Sequence, residues 1–512
     1  MKKIIFTVLL IYGINYLLNA QEDVNGVIIS EDDNLTVVQV WGDHNERGYA
    51  QGYLLADQMY DLFTNYLIPQ IGSYMPYAKD IIAGGEHISV DSKYVTEAQG
   101  IIAGMADAGI DTTGLDYLDV LVANSSLDLQ GFDFFKGLKG FDFGMSCSAL
   151  MSWGDATLNT QLNGESVISR HLDWETDESV IGNQVMVAHL PSEPGEQNWV
   201  MTGCAGQIGG QSGFNTNGQA VFLNTMGDFP GQEAQTNQAY QPIQFALRDA
   251  LEINDYNDDG QYNSNDLMAA IEANTQGYAD GFIISCLAPA DTGVDNLTAV
   301  IAEITPTDPK IVTRYNAYED NIPGDNLYAA NGQIKRNDEQ NYCSRYNATA
   351  AALENGEEIS AEINWAIMRD SSSQEINLQF MQFVPDQRYI NISAYRNGTP
   401  AYTHDSTRYY MDDLFDEALF VQSEKHTQAF CHISPNPVSD MVTIKFTGEP
   451  NELFTCKIYN ELGHLINLKH RLRTNTITLS DISDISINEG MYFLILSGNK
   501  GTKHKEKFIV IK

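Results

Sequence analysis

A short apolar stretch of the chain places one thiol where it could act as a nucleophile. Cys147 stands near the start of the run Met145–Trp153, whose composition predicts a buried strand. A second predicted strand, residues 166–171, follows a polar connection and continues into Arg170-His-Leu-Asp. Two strands joined by a turn form a hairpin, so we expect Cys147, Arg170 and Asp173 to meet at one end. A thiol, a guanidinium and a carboxylate in one pocket could carry out nucleophilic attack on a carbonyl group.

Each of these residues also has an ordinary structural explanation. Buried cysteines are usually inert packing groups, and Arg170 with Asp173 could form a surface ion pair. His171 is adjacent to Arg170, but successive side chains of a strand point to opposite faces. We therefore expect His171 to have a structural role.

The region before Cys147 is predicted to be mainly helical from about residue 42 to 135. Residues 42–52 open an amphipathic helix that Asp43 or Asn45 could cap. Further helical patterns cover residues 95–106 and 115–123. A segment rich in Gly, Phe and Lys, residues 132–144, then resembles a loop that could be cut.

Strands and helices alternate after Cys147, which predicts a layered α/β sandwich rather than a helical bundle. The glycine-rich run 209–218 is interpreted as the turn of a β-hairpin rather than as a phosphate-binding loop, because the sequence before it does not have the pattern of such a loop. Predicted strands cover residues 184–189, 199–202, 219–224, 281–287, 296–304, 310–315, 326–330 and 377–395, and helices cover 243–252 and 267–273, with another beginning near Ser344.

Composition bounds the class of protein. The chain has 512 residues, of which 43% are hydrophobic, so two or three folded units are expected. Its net charge of -39 argues against a nucleic-acid partner, which would need a basic face. Residues 1–20 predict a secretory signal peptide, and a membrane anchor is the alternative. No later segment is long and apolar enough to span a bilayer.

The cysteines do not suggest a dense disulfide framework. Of the six, Cys431 and Cys456 lie near each other in sequence and could pair, while the others are scattered. The CxxC and HExxH metal patterns are both absent. We expect no organic cofactor.

An acidic loop between the two helices predicted at 243–252 and 267–273 matches a calcium-loop pattern. Gly260 falls at position six, where such a loop turns sharply. Position twelve is Asp rather than Glu, so the loop resembles the dockerin-type variant, although chance matches occur in acidic, Asn-rich chains. Oxygen side chains fall at positions one, three, five, nine and twelve, and the predicted metal residues are Asp255, Asn257, Asp259, Gln261 and Asp266.

The tail from about residue 429 differs in kind. A Pro-Asn-Pro sequence at 435–437, a Gly-Met-Tyr-Phe strand at 490–493 and a basic end, Lys505–Lys512, describe a small β-sandwich. This pattern resembles the C-terminal sorting domain of type IX secretion in Bacteroidetes. The resemblance implies export through that machinery to the outside or the cell surface, and an adhesive accessory sandwich is the alternative.

Five short motifs occur in the order found in the N-terminal-nucleophile hydrolases. They resemble the family of choloylglycine hydrolase, penicillin V acylase, acid ceramidase and acyl-CoA:isopenicillin N acyltransferase, over roughly residues 40–400. The segment His44–Gly52 is similar to the front of the acyltransferase-like branch. The motifs are Cys147-Ser, Arg170-x-x-Asp173, Gly213-Phe-Asn-x-x-Gly218 with Phe222-Leu-Asn224, Tyr328-Ala-Ala-Asn331 and Ser344-Arg345.

This resemblance implies cleavage between Ser146 and Cys147, which would free an α-amine. Such an amine titrates near neutrality and can take the thiol proton without a histidine. By resemblance, Cys147 attacks the carbonyl, Asp173 holds the α-amine and Arg170 lies against the thiolate.

The resemblance assigns the remaining roles to two amides and one cation. Asn224 and Asn331 would form the oxyanion hole, where each donor can contribute roughly 2.7 to 4 kcal/mol. Arg345 would orient Asp173 and the nucleophile. Without the resemblance, the asparagines could be turn residues and Arg345 a charge at a helix start.

The predicted fold is α+β: a four-layer αββα N-terminal-nucleophile sandwich. A signal peptide (1–20) and a helical segment (21–146) precede the catalytic domain (147–428), which carries the loop insertion 255–266, and the sorting sandwich (429–512) follows. The predicted function is hydrolysis of non-peptide amides through a thioester. An acyltransferase or phospholipase B-like esterase is the alternative on the same fold, and a non-catalytic, calcium-stabilised surface-binding protein is the alternative of another class.

Overall fold

The chain forms two compact units, residues 1–423 and 424–512, in a computed structural model. The sequence predicts this boundary at residue 429. The described residues are 24–32, 34–135, 146–226, 233–290, 297–318, 320–336, 343–416, 431–434, 442–446, 454–460, 465–472, 476–479, 489–498 and 503–511. The predicted signal peptide, most of the proposed loop 132–144 and the Pro-Asn-Pro sequence lie outside them, as does the side chain of Cys431.

The first unit contains a nine-stranded sheet in the order β1-β2-β5-β6-β7-β8-β9-β10-β11. All neighbours pair antiparallel except β2 and β5, which are parallel. The strands are β1 (Gly26–Asp32), β2 (Leu35–Gly42), β5 (Gln184–Pro191), β6 (Trp199–Cys204), β7 (Ser212–Asn215), β8 (Ala220–Thr225), β9 (Phe282–Leu287), β10 (Ala299–Ile304) and β11 (Ile311–Arg314).

A six-stranded antiparallel sheet has the order β12-β3-β4-β13-β14-β15. Its strand β3 starts one residue after the predicted nucleophile, Cys147. Its strands are β3 (Ser148–Ser152), β4 (Val167–Asp173), β12 (Asn326–Ala329), β13 (Asn377–Val384), β14 (Tyr389–Ala394) and β15 (Thr407–Tyr410).

The helices fall before and between these strands. They are α1 (His44–Leu54), α2 (Ala56–Asp61), α3 (Ile68–Ile71), α4 (Met75–Gly84), α5 (Ser92–Asp107), α6 (Tyr117–Leu129), α7 (Glu178–Gly182), α8 (Ile243–Glu252), α9 (Ser264–Glu272), α10 (Ser344–Ala352), α11 (Ala361–Ser372) and α12 (Met411–Leu414), with a π-helix at Leu62–Leu67 and 3-10 turns at Gly72–Tyr74, Gly154–Ala156 and Ala401–Thr403.

The two sheets face each other and each carries helices on its other side. Phe214 of β7 stacks on Phe383 of β13 with ring centroids 4.4 Å apart, which joins the sheets through a buried apolar layer. Helices α8 and α9 pack on the nine-stranded sheet, and α10 and α11 on the six-stranded sheet. The predicted α+β class and its αββα layering are confirmed.

The prediction that residues 21–146 are helical is wrong for the first part of this segment. The structure has a β-hairpin there, β1 and β2, before the predicted helices. Val37, Val38 and Val40 of β2 are fully buried, and their β-branched side chains suit a strand in the sheet interior. A second omission is β7, which lies within the glycine-rich run 209–218 and forms the predicted hairpin with β8.

Helix α1 begins as the sequence predicted. The Asp43 side chain accepts from the Glu46 N–H, and the Glu46 side chain accepts from the Asp43 N–H, which forms a capping box. None of the described helices has the length and apolar character needed to cross a bilayer.

The C-terminal unit contains two antiparallel sheets, which agrees with the predicted β-sandwich. Their orders are β16-β17-β20 and β19-β18-β21-β22. The strands are β16 (Cys431–Ser434), β17 (Val442–Phe446), β18 (Phe454–Asn460), β19 (Leu465–Leu472), β20 (Thr476–Leu479), β21 (Gly490–Gly498) and β22 (Lys503–Val510).

Candidate active site

The pairing of β3 with β4 brings the predicted nucleophile to the predicted cation. Ser148 lies opposite His171, and Ala149 lies opposite Arg170. Cys147 therefore sits beside the end of β4, where Asp173 is the last residue. All of these residues are fully buried.

Arg170 connects the thiol to the facing sheet. Its Nη2 lies 3.4 Å from Cys147 Sγ and also donates to the Leu223 carbonyl at 2.7 Å. Its Nη1 donates to Asn224 Oδ1 at 2.8 Å. Because Leu223 and Asn224 belong to β8, this one guanidinium bridges the two sheets at the site.

Asp173 is held on one oxygen and open on the other. Asn377 Nδ2 donates to Asp173 Oδ1 at 2.8 Å. Oδ2 has no hydrogen-bond partner among the described residues, although Arg345 Nη1 is 3.7 Å away. Burial raises the pKa of Asp173 to about 7, against the hydrogen bond from Asn377 and the charges of Arg345 and Arg170. The carboxyl group can therefore take up or release a proton near neutral pH.

Burial also raises the pKa of the Cys147 thiol. The positive charge of Arg170 opposes this effect, and the negative charge of Asp173 adds to it. Burial likewise lowers the pKa of Arg170. In the uncleaved chain the thiol is thus mainly protonated at neutral pH, and a base must remove its proton before it attacks.

The peptide bond between Ser146 and Cys147 is held from both sides. The Ser146 N–H donates to the Asp173 carbonyl at 3.0 Å, and Ser146 Oγ lies 3.4 Å from Asn331 Oδ1. On the other side, Arg345 Nη1 donates to the Cys147 carbonyl at 3.1 Å. These contacts fix the predicted cleavage point within the site.

Both predicted oxyanion donors lie in the site, and each already donates to a backbone carbonyl. Asn224 Nδ2 donates to the Ala330 carbonyl at 3.1 Å. Asn331 Nδ2 donates to the Thr225 carbonyl at 2.6 Å, while its Oδ1 accepts from Arg345 at 2.7 Å. A carboxamide nitrogen carries two hydrogens, so Asn224 retains a second donor for an oxyanion. Asn331 Nδ2 also contacts Thr225 Oγ1 at 3.5 Å, so its second hydrogen reaches an oxyanion only by leaving that long contact.

His171 has the structural position expected of it. Its ring stacks on Phe380 with centroids 4.2 Å apart, and its Nε2 lies 3.1 Å from the Met368 carbonyl. Met368 belongs to α11 on the outer side of the six-stranded sheet. His171 therefore faces away from Cys147.

Sequence reasoning missed Asn377 as part of this site. Its pairing opposite Asp173 places it beside the carboxylate, and the Tyr402 N–H fixes its side-chain oxygen at 3.0 Å. The only signal in the sequence was its position at the start of a predicted strand, which gives no partner. Leu223 and Thr225 were also missed. They contribute backbone carbonyl oxygens, which every residue type has, so the sequence does not single them out.

The acidic loop 255–266 has several features of the predicted calcium site. Gly260 has a φ of +78°, and Asp255 accepts the N–H groups of Asp259 and Gly260 at 3.1 and 2.9 Å. Asp266 is oriented by Gln219 Nε2 at 3.0 Å. The position-nine side chain differs from the expected pattern, since Asn263 caps α9 by accepting from the Asn265 N–H.

The predicted calcium ligands do not form a tight cluster in this structure. Among the described residues, only His44, Glu193 and Glu196 bring three ligand atoms from acids, His or Cys within 4.8 Å of one another. The calcium assignment therefore stays a prediction from the loop pattern.

The chain is similar to several solved structures over about half of its length. An N-acylethanolamine-hydrolyzing acid amidase ortholog from Caenorhabditis elegans is 12% identical, covers 52% of this chain and 99% of its own, and has a TM-score of 0.34. For penicillin V acylase from Agrobacterium tumefaciens these values are 12%, 53%, 89% and 0.30. For a mutant conjugated bile acid hydrolase from Clostridium perfringens they are 10%, 52%, 93% and 0.29. Likenesses this distant carry no argument about reaction or substrate.

The curated proteins offer no match to the chain. A family model does match its C-terminal end: residues 432–512 match the secretion system C-terminal sorting domain. This match confirms the predicted sorting domain of type IX secretion. Residues 432–512 therefore belong to the sorting-domain family, and the chain is that of a secreted or cell-surface protein.

Proposed function

We propose that the protein is a secreted hydrolase of non-peptide amide bonds that uses Cys147 as an N-terminal nucleophile. One observation carries this proposal: Arg170, Asp173 and Arg345 all lie around Cys147, and two of them contact the backbone that flanks the Ser146–Cys147 bond. A buried cysteine that served only packing would not need two guanidinium groups and a carboxylate around it.

The first step is cleavage of the chain. Cys147 Sγ attacks the Ser146 carbonyl carbon, the Ser146–Cys147 C–N bond breaks, and a thioester links Ser146 to the sulfur. Asp173, whose pKa is about 7, takes the thiol proton and returns it to the departing nitrogen. This shift frees the α-amine of Cys147. Water then adds to the thioester, which releases the Ser146 carboxylate and restores the thiol.

The second step is turnover by the new terminus. The α-amine takes the thiol proton, and the sulfur attacks the carbonyl carbon of the amide substrate. Asn224 and Asn331 donate to the oxyanion with the hydrogens that do not bond the Ala330 and Thr225 carbonyls. The amine leaves with the proton, and water hydrolyses the acyl thioester to the acid.

Removal of Ser146 also prepares this step. In the uncleaved chain Ser146 Oγ contacts Asn331, and the Ser146 N–H contacts the Asp173 carbonyl. Cleavage releases both contacts and frees the neutral α-amine beside Asp173. When this amine takes the thiol proton it becomes positively charged, and a nearby opposite charge lowers the pKa of the carboxyl group, so Asp173 becomes the anion that holds the amine.

Mass spectrometry together with an amide-hydrolysis assay tests the proposal. Wild type is expected to yield a chain that begins at Cys147 and to hydrolyse members of an acyl-amide panel. Cys147→Ala is expected to stay intact and inactive. Cys343→Ala is the matched control, because Cys343 is exposed and should leave both readouts unchanged. An intact wild-type chain, together with full activity in Cys147→Ala, would refute the proposal.

We further propose that the loop 255–266 binds calcium as a structural ion. Its carboxylates at Asp255, Asp259 and Asp266 and its turn at Gly260 support this assignment. Calcium is expected to raise the melting temperature of the full chain, and a chelator to reverse the rise. Asp255→Ala should abolish the calcium effect, and an equal calcium response in that variant would discard the site.

A further inference from the structure

A second group of charged side chains lies buried in the layered unit, on elements other than those that carry the active site. We call it the His44 cluster. Helix α1 contributes two of its residues, α5 one and α8 two, while the β5–β6 loop contributes two acids at its solvent side. The members are His44, Arg47, Glu97, Arg248, Glu252, Glu193 and Glu196.

We propose that His44, Glu193 and Glu196 of this cluster bind a divalent metal ion of the zinc class. The three ligand atoms lie within 4.8 Å of one another. His44 Nε2 is 3.2 Å from Glu196 Oε1 and 3.9 Å from Glu193 Oε1. Ligands of a tetrahedral zinc ion, with bonds of about 2.0 to 2.1 Å, are separated by roughly 3.3 Å. Small side-chain movements would therefore close the site around an ion.

The surrounding residues orient these ligands as a metal site requires. His44 Nδ1 is 2.7 Å from Glu97 Oε2, which is fully buried. A carboxylate on the other ring nitrogen fixes the tautomer of a metal-binding histidine and raises its basicity. Arg47 Nη2 contacts Oε2 of Glu193 at 3.4 Å and Oε2 of Glu196 at 3.1 Å. Oε1 of each carboxylate lies on the side of His44 Nε2, and Glu193 Oε1 also accepts the His44 backbone N–H at 2.8 Å.

The balance of charge also favours a cation. The cluster has four carboxylates against three cations, even with His44 fully protonated. Glu97 Oε1 is buried and has no hydrogen-bond partner among the described residues. If a divalent ion replaces the proton on His44 Nε2 and that proton leaves to solvent, four positive charges face four negative ones. An uncompensated charge is costly where it is buried, so an ion that balances the charge of the cluster is expected to stabilise it.

An ion can reach the site, and its binding has a structural consequence. Glu193 is 28% exposed and Glu196 11% exposed, both in the loop between β5 and β6. Zinc sites with three protein ligands take water in the fourth position, and the loop side of this site faces solvent. The bound ion would fasten the β5–β6 loop to the first turn of α1.

Zinc titration of the full chain tests the proposal. The titrated protein is Cys147→Ala, which lacks the active-site thiol as a competing ligand. Excess calcium is present so that the acidic loop does not take up zinc. Isothermal titration is expected to show one tight equivalent of zinc, and the melting temperature should rise with zinc. Glu97→Gln should weaken binding by about 10- to 100-fold, as loss of an orienting carboxylate does.

The matched variants separate this site from adventitious binding. Glu193→Gln with Glu196→Gln should lower zinc affinity by more than about 100-fold, because two of three ligands lose their charge. Asp412→Asn removes one acid from an exposed arginine pair, Arg388–Asp412, and should change nothing. Undiminished zinc binding by the double variant, or no zinc bound by the Cys147→Ala chain, would overturn the proposal. Should the double variant not fold, zinc X-ray absorption of Cys147→Ala decides: one imidazole with oxygens supports the site, and sulfur ligands refute it.

Discussion

The two buried groups of charge in the layered unit differ at their central carboxylates. Around Cys147, Asp173 Oδ2 has no hydrogen-bond partner among the described residues. In the His44 cluster, Glu97 Oε1 is likewise unpartnered among those residues, but the central Glu252 accepts from Arg47, from Arg248 twice and from Trp199. Asp173 therefore keeps one oxygen open, while both oxygens of Glu252 are bonded.

This difference between the two carboxylates indicates which of them can exchange a proton. Open atoms and burial raise the pKa of Asp173 to about 7, which makes it a group that can exchange protons. The ion pairs of Arg248 and Arg47 outweigh the burial that would raise the pKa of Glu252 and hold it well below its usual value. Glu252 therefore stays charged and has a structural role. Substitutions around Cys147 should mainly lower activity, and substitutions in the His44 cluster should mainly lower stability.

The largest expected effect on activity comes from Asp173→Asn. The amide keeps the shape of the side chain but can neither exchange the proton nor hold the α-amine by charge. We expect the rate of amide hydrolysis to fall by about 10² to 10⁴-fold, the range for a positioned acid-base group, with little loss of stability. Steady-state kinetics and a urea melt of the same preparation check this. Retained activity would place Asp173 outside the chemistry.

The largest expected effect on stability comes from Glu252→Gln. The change leaves Arg248 and Arg47 buried without their main counter-charge, and breaking such a pair costs about 3 to 5 kcal/mol. The urea midpoint of Cys147→Ala with and without Glu252→Gln measures this cost. Asp412→Asn, in the exposed pair with Arg388, is the control and should cost about 0 to 1 kcal/mol. Equal costs for the two variants would remove the contrast between the groups.

The pH dependence of stability should single out Asp173. Its pKa is raised from 3.8 to about 7 in the folded, uncleaved chain, so the folded state binds the proton more tightly than the unfolded state. Its contribution is therefore present in full below pH 3.8 and is lost as the pH rises through 7. The loss is at most about 4 kcal/mol at 1.36 kcal/mol per pKa unit.

Unfolding of Cys147→Ala between pH 4 and pH 8 measures this contribution. The decline in stability with rising pH should be smaller when Asp173→Asn is added, because the amide does not titrate. Identical pH profiles for the two chains would contradict the raised pKa. Other acids contribute equally to both profiles and cancel in the difference.

The smallest expected effect is loss of the capping box before the His44 cluster. Asp43→Ala removes the side chain that accepts from the Glu46 N–H at 2.9 Å, which should cost about 0.5 to 2 kcal/mol. Since α1 carries His44 and Arg47, the midpoint of the layered unit should shift while amide hydrolysis stays unchanged. A loss of activity larger than the loss of stability would link this cluster to the active site.

Much of this architecture could be predicted from the sequence, because it depends on local patterns. The apolar run after Cys147 predicted β3, and Asp43 correctly predicted the start of α1. Helix α8 spans the predicted residues 243–252. The strands β1 and β2 were missed, because a short apolar run near the chain start does not reveal which sheet it will join.

The sequence by itself determined the sorting domain, and it predicted the nucleophile and the order of its partners. Only the tertiary structure decided which atoms meet, since Arg170 and Asn224 are 54 positions apart and Asp173 and Asn377 are 204 apart. The same holds for His44, whose acids come from two other elements, α5 and the β5–β6 loop. Residue type and spacing specify what a side chain can do, whereas burial and long-range pairing fix its charge and its partners.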